Sequence, residues 1–404
     1  MGAGALLELV GRGSQDKYFI GNPQITFFKV VYKRHTNFSI ESIGQYFLEQ
    51  PDFGKRISCI IDRKADLLSE IILELELPAL QSNVSWINAI GHNIIKTVEL
   101  TIGGETISKM TGEFLDIYSE LNIPGSQRNG YYKMIGKTSS YSRTSFQDAL
   151  HLFIPLPFWF SHDVGRVLPL ISMQYSEIRV NIELRPFSEC WYSGSTMTPV
   201  PDEKHITSAI LYCDYIYLDV YERQKFATSQ GFEYMIEQVQ LVEGNPTSAN
   251  NTLINADLFL SHPIKEMIWV YQADNVALTN DWLNLSKTLD NSAIIQVQQP
   301  AISACKLKLN GSDRFEERVA DYFRLVVPYQ RHTTSPENFF YIYSFSIQPE
   351  RPQPTGSCNF SKIDSIQLEV KFNTNVPAGQ VRVYAINYNI LKIRNGMAGV
   401  MFSD

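Results

Sequence analysis

The stretch Ser176–Leu184, SEIRVNIEL, puts Ile178, Val180, Ile182 and Leu184 on one side and Glu177, Arg179, Asn181 and Glu183 on the other. A period of two is the signature of a strand with one face buried and the other wet. The same pattern returns at Asp364–Phe372, DSIQLEVKF. Two further segments read as strand, turn, strand. In KTVELTIGGETI (Lys96–Ile107) the turn is Gly103-Gly104, and in ACKLKLNGSDRF (Ala304–Phe315) it is Asn310-Gly311. Such pairs favour two-residue hairpins because they accept positive φ. SAILYCDYIYLDVYER (Ser208–Arg223) and GQVRVYAINYNILKIR (Gly379–Arg394) read as long strands rich in Tyr, Ile and Val. Helical spacing is confined to TGEFLDIYSEL (Thr111–Leu121) and FEERVADYFRL (Phe315–Leu325). Many short strands punctuated by Gly and Pro predict β-sandwiches or barrels.

These segments pair up as a duplication. Leu100 and Gly104 match Leu307 and Gly311, Ile178 and Val180 match Ile366 and Leu368, and Tyr217 and Arg223 match Tyr388 and Arg394. Order is kept while the offset shrinks, so the first copy carries the longer loops. NIPGSQRNGYYKMIGKTSSYSRTS (Asn122–Ser145) and FSECWYSGSTMTPVPDEKH (Phe187–His205) are the candidates, and the stretches 122–146 and 186–205 are expected to project together on an outer face. The pattern predicts an arm over residues 1–24, a first sandwich over 25–223, a linker over 224–232 and a second sandwich over 233–404.

Composition bounds the function. The 404 residues are 44% hydrophobic and 19% charged, which is globular. A net charge of −7 leaves no global field to attract nucleic acid. Five scattered cysteines without a Cys-x-x-Cys suggest neither a disulfide framework nor a zinc site, and fit a reducing compartment. No apolar run reaches the roughly 18 residues of a membrane span, and no basic leader precedes the apolar N-terminal residues. A soluble intracellular product is expected.

The catalytic motifs fail on spacing. Gly136-Lys137-Thr138 has the tail of a phosphate-binding loop, but Tyr131 stands where the required glycine belongs. Ser161, His162 and Asp163 are adjacent, whereas a triad is assembled from separate segments. The seven histidines form no HExxH and no close pair with carboxylates, so no catalytic, cofactor-binding or metal residue is assigned. Glu316-Glu317 with Arg314 and Arg318 reads as a solvated helix face.

GNPQITFFKVVYKRHTNFS (Gly21–Ser39) reads as a first strand over Ile25–Tyr32 ending in the cations Lys33, Arg34 and His35. These cations suit a contact with a neighbouring subunit better than nucleic acid, which would want more basic residues and stacking aromatics. This stretch and LLELVGRGSQDKYFIGNPQ (Leu6–Gln24) closely resemble the N-terminal signature of the major capsid proteins of nucleocytoplasmic large DNA viruses. LPLISMQYSEIRVNIEL (Leu168–Leu184) and YAINYNILKIRNGMAGVMFSD (Tyr384–Asp404) resemble that family more loosely.

The resemblance implies an all-β double jelly roll, two tandem eight-stranded antiparallel jelly rolls with short helices in loops. It implies a late structural protein of an icosahedral virion, forming homotrimeric pseudo-hexameric capsomers, with neighbouring capsomers and minor capsid proteins as partners. Assembly in the host cytoplasm, membrane contact only through other proteins, no cofactor and no specific nucleic acid complete that expectation. A minor or penton-like paralogue is the alternative within the class. A carbohydrate-binding β-sandwich is the alternative outside it, with CWYSG (Cys190–Gly194) as its only aromatic platform. Leu6, Leu7 and Val10 share one face of a short arm helix and, with Lys33, Arg34 and His35, are the candidate inter-subunit contacts. An arm this apolar is expected to order only on assembly. Candidate glycosylation sequons lie at Asn37, Asn83, Asn250, Asn284, Asn310 and Asn359.

Overall fold

The computed structural model describes residues 3–24, 27, 33–81, 84–138, 148–161, 163–193, 202–229, 231–288 and 298–402. The chain divides into a unit over Met1–Asn37 and a unit over Phe38–Asp404. In the first, helix α1 (Ala3–Val10) is followed by a turn of helix at Lys17–Ile20. The strand expected at Ile25–Tyr32 falls almost wholly outside the described residues. Lys33 to Asn37 carry no strand, and the first described strand begins at Phe38.

The second unit is built from two sandwiches. In the first, the strands are β1 (Phe38–Gln45), β2 (Arg56–Ile60), β3 (Leu67–Leu77), β4 (Ile95–Ile102), β5 (Glu105–Thr111), β6 (Leu150–Pro155), β7 (Ile178–Leu184) and β8 (Ser208–Leu218). They form one sheet in the order β1-β8-β3-β6 and a second in the order β2-β7-β4-β5. In the second sandwich the strands are β9 (Phe232–Glu243), β10 (Leu253–Asp257), β11 (Pro263–Ala273), β12 (Ile302–Leu309), β13 (Ser312–Val319), β14 (Phe340–Ser344), β15 (Ile366–Phe372) and β16 (Gly379–Arg394). Their sheets run β9-β16-β11-β14, widened by short strands at Cys358–Asn359 on β11 and Met397–Val400 on β16, and β10-β15-β12-β13. Numbered within its own sandwich, each copy is 1-8-3-6 over 2-7-4-5, the crossed strand order of a jelly roll. Each four-stranded path is antiparallel throughout.

Alternation builds the cores. Along β3, Ile71, Leu73, Leu75 and Leu77 are buried while Glu70, Ile72, Glu74 and Glu76 face outward. Strands β7 and β15 bury Ile178, Val180, Ile182, Leu184 and Ile366, Leu368, Val370, Phe372 in the same way. Each such side chain contributes about 1.5–3 kcal/mol when taken from water. The two hairpins match, with positive φ at Gly103, Gly104, Asn310 and Gly311, as a type I′ turn demands. Ile178 pairs with Ile102 and Ile366 with Leu309, which places the repeated segments at equivalent points of the two rolls.

Three segments depart from expectation. Ser208–Arg223 is not one strand: β8 ends at Leu218 and helix α5 (Val220–Thr228) follows, capped where Asp219 Oδ1 accepts from Glu222 N at 2.9 Å. Arg223 is therefore helical while its supposed match Arg394 ends β16. Phe315–Leu325 is helical only in its second half: the Asn310-Gly311 hairpin holds Phe315–Val319 extended in β13 against β12, and the chain turns helical from Ala320 through a π-helical turn at Tyr322–Val326. Part of the expected loop 122–146 is helix α4 (Gly125–Ile135), which buries Tyr132 and Ile135. Helix α2 (Ile90–Asn93) packs against helix α3 (Gly112–Asn122), and α3 reaches the second roll through Phe114. In α3 the expected helix is present, with Thr111 Oγ1 accepting from Phe114 N at 3.2 Å.

Candidate assembly site

Strand β11 is buried along nearly its whole length rather than on alternate residues. One face fills its own roll, and the other face of its sheet meets the first roll. Across this seam Phe114 packs on Tyr384 with ring centroids 5.5 Å apart, and Gln238 Nε2 donates to Ile107 O at 2.7 Å. Asn280 Nδ2 donates to Ser188 O and Trp191 O at 2.7 and 2.9 Å, and Trp282 Nε1 to Glu189 O at 3.0 Å. The Arg185 guanidinium, paired with Glu113 at 2.5 Å, lies 4.7 Å from the Trp282 ring centre. Arg166 reaches Glu237 at 3.1 Å, and Glu237 also holds Lys265 at 2.6 Å. A cleft of about 610 Å³ runs along these charges.

Two buried charge clusters anchor a strap, residues 332–338, that ties the rolls together. In the first cluster Lys137 Nζ stands 2.7 Å from Asp116 Oδ1 and 3.4 Å from Glu120 Oε1. His92 bridges Asp116 at 3.3 Å and the Tyr131 hydroxyl at 3.0 Å. Burial alone would lower the Lys137 pKa and raise that of Asp116. Their mutual attraction outweighs it, so Lys137 is held above the usual lysine range and Asp116 well below the carboxylate range. Burial keeps His92 low. Glu120 Oε2 then accepts from Glu337 N and Asn338 N at 3.2 Å each, and Thr334 Oγ1 donates to Glu120 O and Leu121 O at 2.6 Å.

At the other end of the strap, buried His332 lies 3.0 Å from Glu266 and 3.2 Å from Glu350. The contact to Glu266 is a charge contact, its angle being off line for a hydrogen bond. Although burial opposes the charged form, the two carboxylates raise the His332 pKa to about 9. Glu350 also accepts from Thr333 N at 2.7 Å.

The flagged residues take plain structural places. Lys137 neutralises buried carboxylates, and Gly136, at φ 65°, ends α4 in the left-handed conformation, so Gly136-Lys137-Thr138 is a helix end. Ser161 Oγ donates to Leu156 O, and Asp163 caps the turn at Val164–Arg166; His162 lies outside the described residues. Trp191 of CWYSG is buried against Trp86, and none of the five tryptophans is exposed, so no aromatic platform forms there. Glu317 is strand-borne and pairs with Lys371 at 2.6 Å. The histidines that lack sequence-adjacent carboxylates meet them in space: His92 with Asp116, His151 with Glu74, His205 with Asp52, and His332 with Glu266 and Glu350. All five cysteines are free.

In the arm, Leu6, Leu7 and Val10 are 52%, 71% and 78% exposed on α1. Lys33, Arg34 and His35 are exposed on a separate segment, with His35 Nδ1 2.8 Å from Thr36 O. Exposed apolar residues that sequence reasoning passed over lie on edge strand β1 and just after it: Phe38, Ile40, Tyr46 and Leu48. Of the sequons, Asn37, Asn250, Asn310 and Asn359 are exposed, and Asn83 is outside the described residues. Asn284 is buried, its amide donating to Asp281 Oδ2 and Thr288 O at 2.9 and 3.1 Å, which is at odds with glycan attachment to the folded chain.

Residues 26–219 match the family model described as major capsid protein N-terminus, and residues 222–399 match that of the large eukaryotic DNA virus major capsid protein. The chain belongs to this family. The major capsid protein of Pyramimonas orientalis virus is 37% identical, over 99% of this chain and 100% of the relative. That of Phaeocystis pouchetii virus is 34% identical over 100% of both. A solved chain of the PBCV-1 virus capsid superposes with a TM-score of 0.82 at 28% identity, covering 94% of this chain and 100% of the other. As a large DNA virus major capsid protein, the chain is a structural component of the virion shell with a double jelly-roll fold. Its strap and seam fasten the two rolls of this capsid protein to one another.

Proposed function

We propose that three copies of this capsid protein associate into a homotrimeric capsomer with a pseudo-hexagonal outline, and that these capsomers tile the shell. The observation that carries the reading is the repeated strand order, 1-8-3-6 over 2-7-4-5, in two rolls fastened by buried charge. Two similar wedges per chain about a threefold axis give a six-cornered tile from one gene product. Permanent contacts of this kind bury on the order of 2,000 Å² or more. Light scattering of the purified chain should return a trimer at micromolar concentration; a lone monomer would count against the reading. The role is architectural rather than catalytic, as the capsid proteins among its relatives support.

Leu6, Leu7, Val10, Lys33, Arg34 and His35 serve contacts with neighbouring subunits or minor capsid proteins, on the inner side of the shell. Membrane contact is made through those proteins, and assembly takes place in the host cytoplasm. A helix as short as α1 is marginal alone and needs a cover for its apolar face. Deleting residues 2–12 should leave a soluble, folded trimer while impairing shell assembly in a reconstitution assay. Failure of the truncated chain to fold or trimerise would place the arm in the core instead. Asn250, Asn310 and Asn359 are the glycan candidates on the folded surface, to be checked by peptide mass mapping of virions.

A further inference from the structure

We propose that Glu74, Glu76 and His151 form a binding site for a divalent transition-metal cation on the outer face of the first roll. The site is fixed by sheet register. Glu76 lies directly opposite His151 across β3 and β6, and Glu74 lies two residues from Glu76 on the same face. The core side chains Leu73 and Leu75 point the other way, so both carboxylates stand on the solvent side. One ligand atom from each of the three residues lies within 4.8 Å of the other two. Around a single ion with bonds of about 2.1 Å, ligand atoms sit about 3.4 Å apart in tetrahedral geometry. Small side-chain rotations on this face bring the set to that spacing, and they open the 2.5 Å contact between His151 Nε2 and Glu74 Oε1.

The surroundings orient the ligands. The His151 ring rests on Phe153, with centroids 4.6 Å apart, which limits its swing. Tyr212, from β8 on the other side of β3, lies two residues from Ile210, which stands opposite Glu74, so it shares the face of the carboxylates. Two carboxylates facing one imidazole also leave excess negative charge, which a dication offsets. One nitrogen and two oxygen donors suit zinc or manganese, with water at the remaining position. A bound ion would cross-link the third and sixth strands of the roll, which are neighbours at one edge of its sheet.

The test is calorimetric titration of the full chain with zinc chloride, beside the variants His151→Ala and Glu76→Gln. All of these side chains lie on the outer face, so the variants should keep the wild-type circular dichroism spectrum and particle size. One zinc per chain with micromolar affinity is expected, weakened at least about tenfold in each variant. Cobalt substituted for zinc should give visible absorption bands that the His151→Ala chain lacks. No saturable binding by the wild type, or equal affinity in both variants, would overturn the site.

Discussion

Replacing Lys137 with methionine should cost the folded capsid protein about 3–5 kcal/mol, the usual effect of stranding buried charge. Methionine fills much of the lysine's volume, so the loss isolates the charge. Asp116 and Glu120 are 3% and 4% exposed, and Lys137 is the cation that contacts both. Without it two carboxylates remain close together and nearly buried beside a crevice of about 80 Å³. The damage should spread along the strap, because Glu120 also holds Glu337 N and Asn338 N. The measurement is the urea midpoint at fixed protomer concentration, since any self-association of the folded chain would make stability concentration-dependent. Adding Asp116→Asn to Lys137→Met should recover part of the loss. A loss below about 1 kcal/mol would mean that water already solvates the pair.

Alternation made most of the strands legible. SEIRVNIEL and DSIQLEVKF each have one buried face, so their sequence period is their structural period. The hairpins were legible because Gly103-Gly104 and Asn310-Gly311 are chosen by φ, a local property. Strand β11 shows where alternation ends: its second face is covered by the other roll, so polar spacing gives way to PIKEMIWVYQA. Misreadings came where a local cap or a distant pairing overrode propensity. Asp219, with Glu222 three residues on, was a capping signal hidden among β-formers. In FEERVADYFRL the apolar spacing of Phe315 and Val319 imitated a helix, while hairpin register with β12 held the chain extended. Helix α4 was announced by Pro124 before it and Gly136 after it, but its composition resembled a loop.

The seam was less legible, because its partners are distant in sequence. His92 and Asp116 are 24 residues apart, and Glu120 reaches Asn338 across 218. No spacing rule finds such pairs. The same distance in sequence explains why Lys137 looked like a phosphate-loop lysine: its motif was visible and its counter-ions were not. The exposed arm leucines and Lys33–His35, by contrast, were found by local contrast alone, as apolar or cationic runs beside glycines or a strand.

Stability should also fall between about pH 6.5 and pH 9, by up to roughly 3 kcal/mol, through His332. Its pKa in the folded chain is raised to about 9 by Glu266 and Glu350, against the ordinary 6.5. Below pH 6.5 the imidazole is protonated in both the folded and the unfolded chain, and the ion pairs contribute in full. Between the two values the folded chain binds a proton that the unfolded chain does not, so raising the pH favours unfolding. Above pH 9 the stabilisation is gone, and buried Glu266 has lost its partner charge. The strap from His332 to Asn338 should loosen first, since Thr333 and Thr334 are the next contacts along it. Urea midpoints at pH 6 and pH 9 measure the total change, and the same pair for His332→Gln isolates the histidine. Glutamine keeps a hydrogen-bonding side chain without the charge, so the variant should be weaker at pH 6 and nearly level with wild type at pH 9. Parallel loss in wild type and variant would assign the pH dependence to other groups. A flat wild-type profile would mean that His332 is not charged in the folded shell protein.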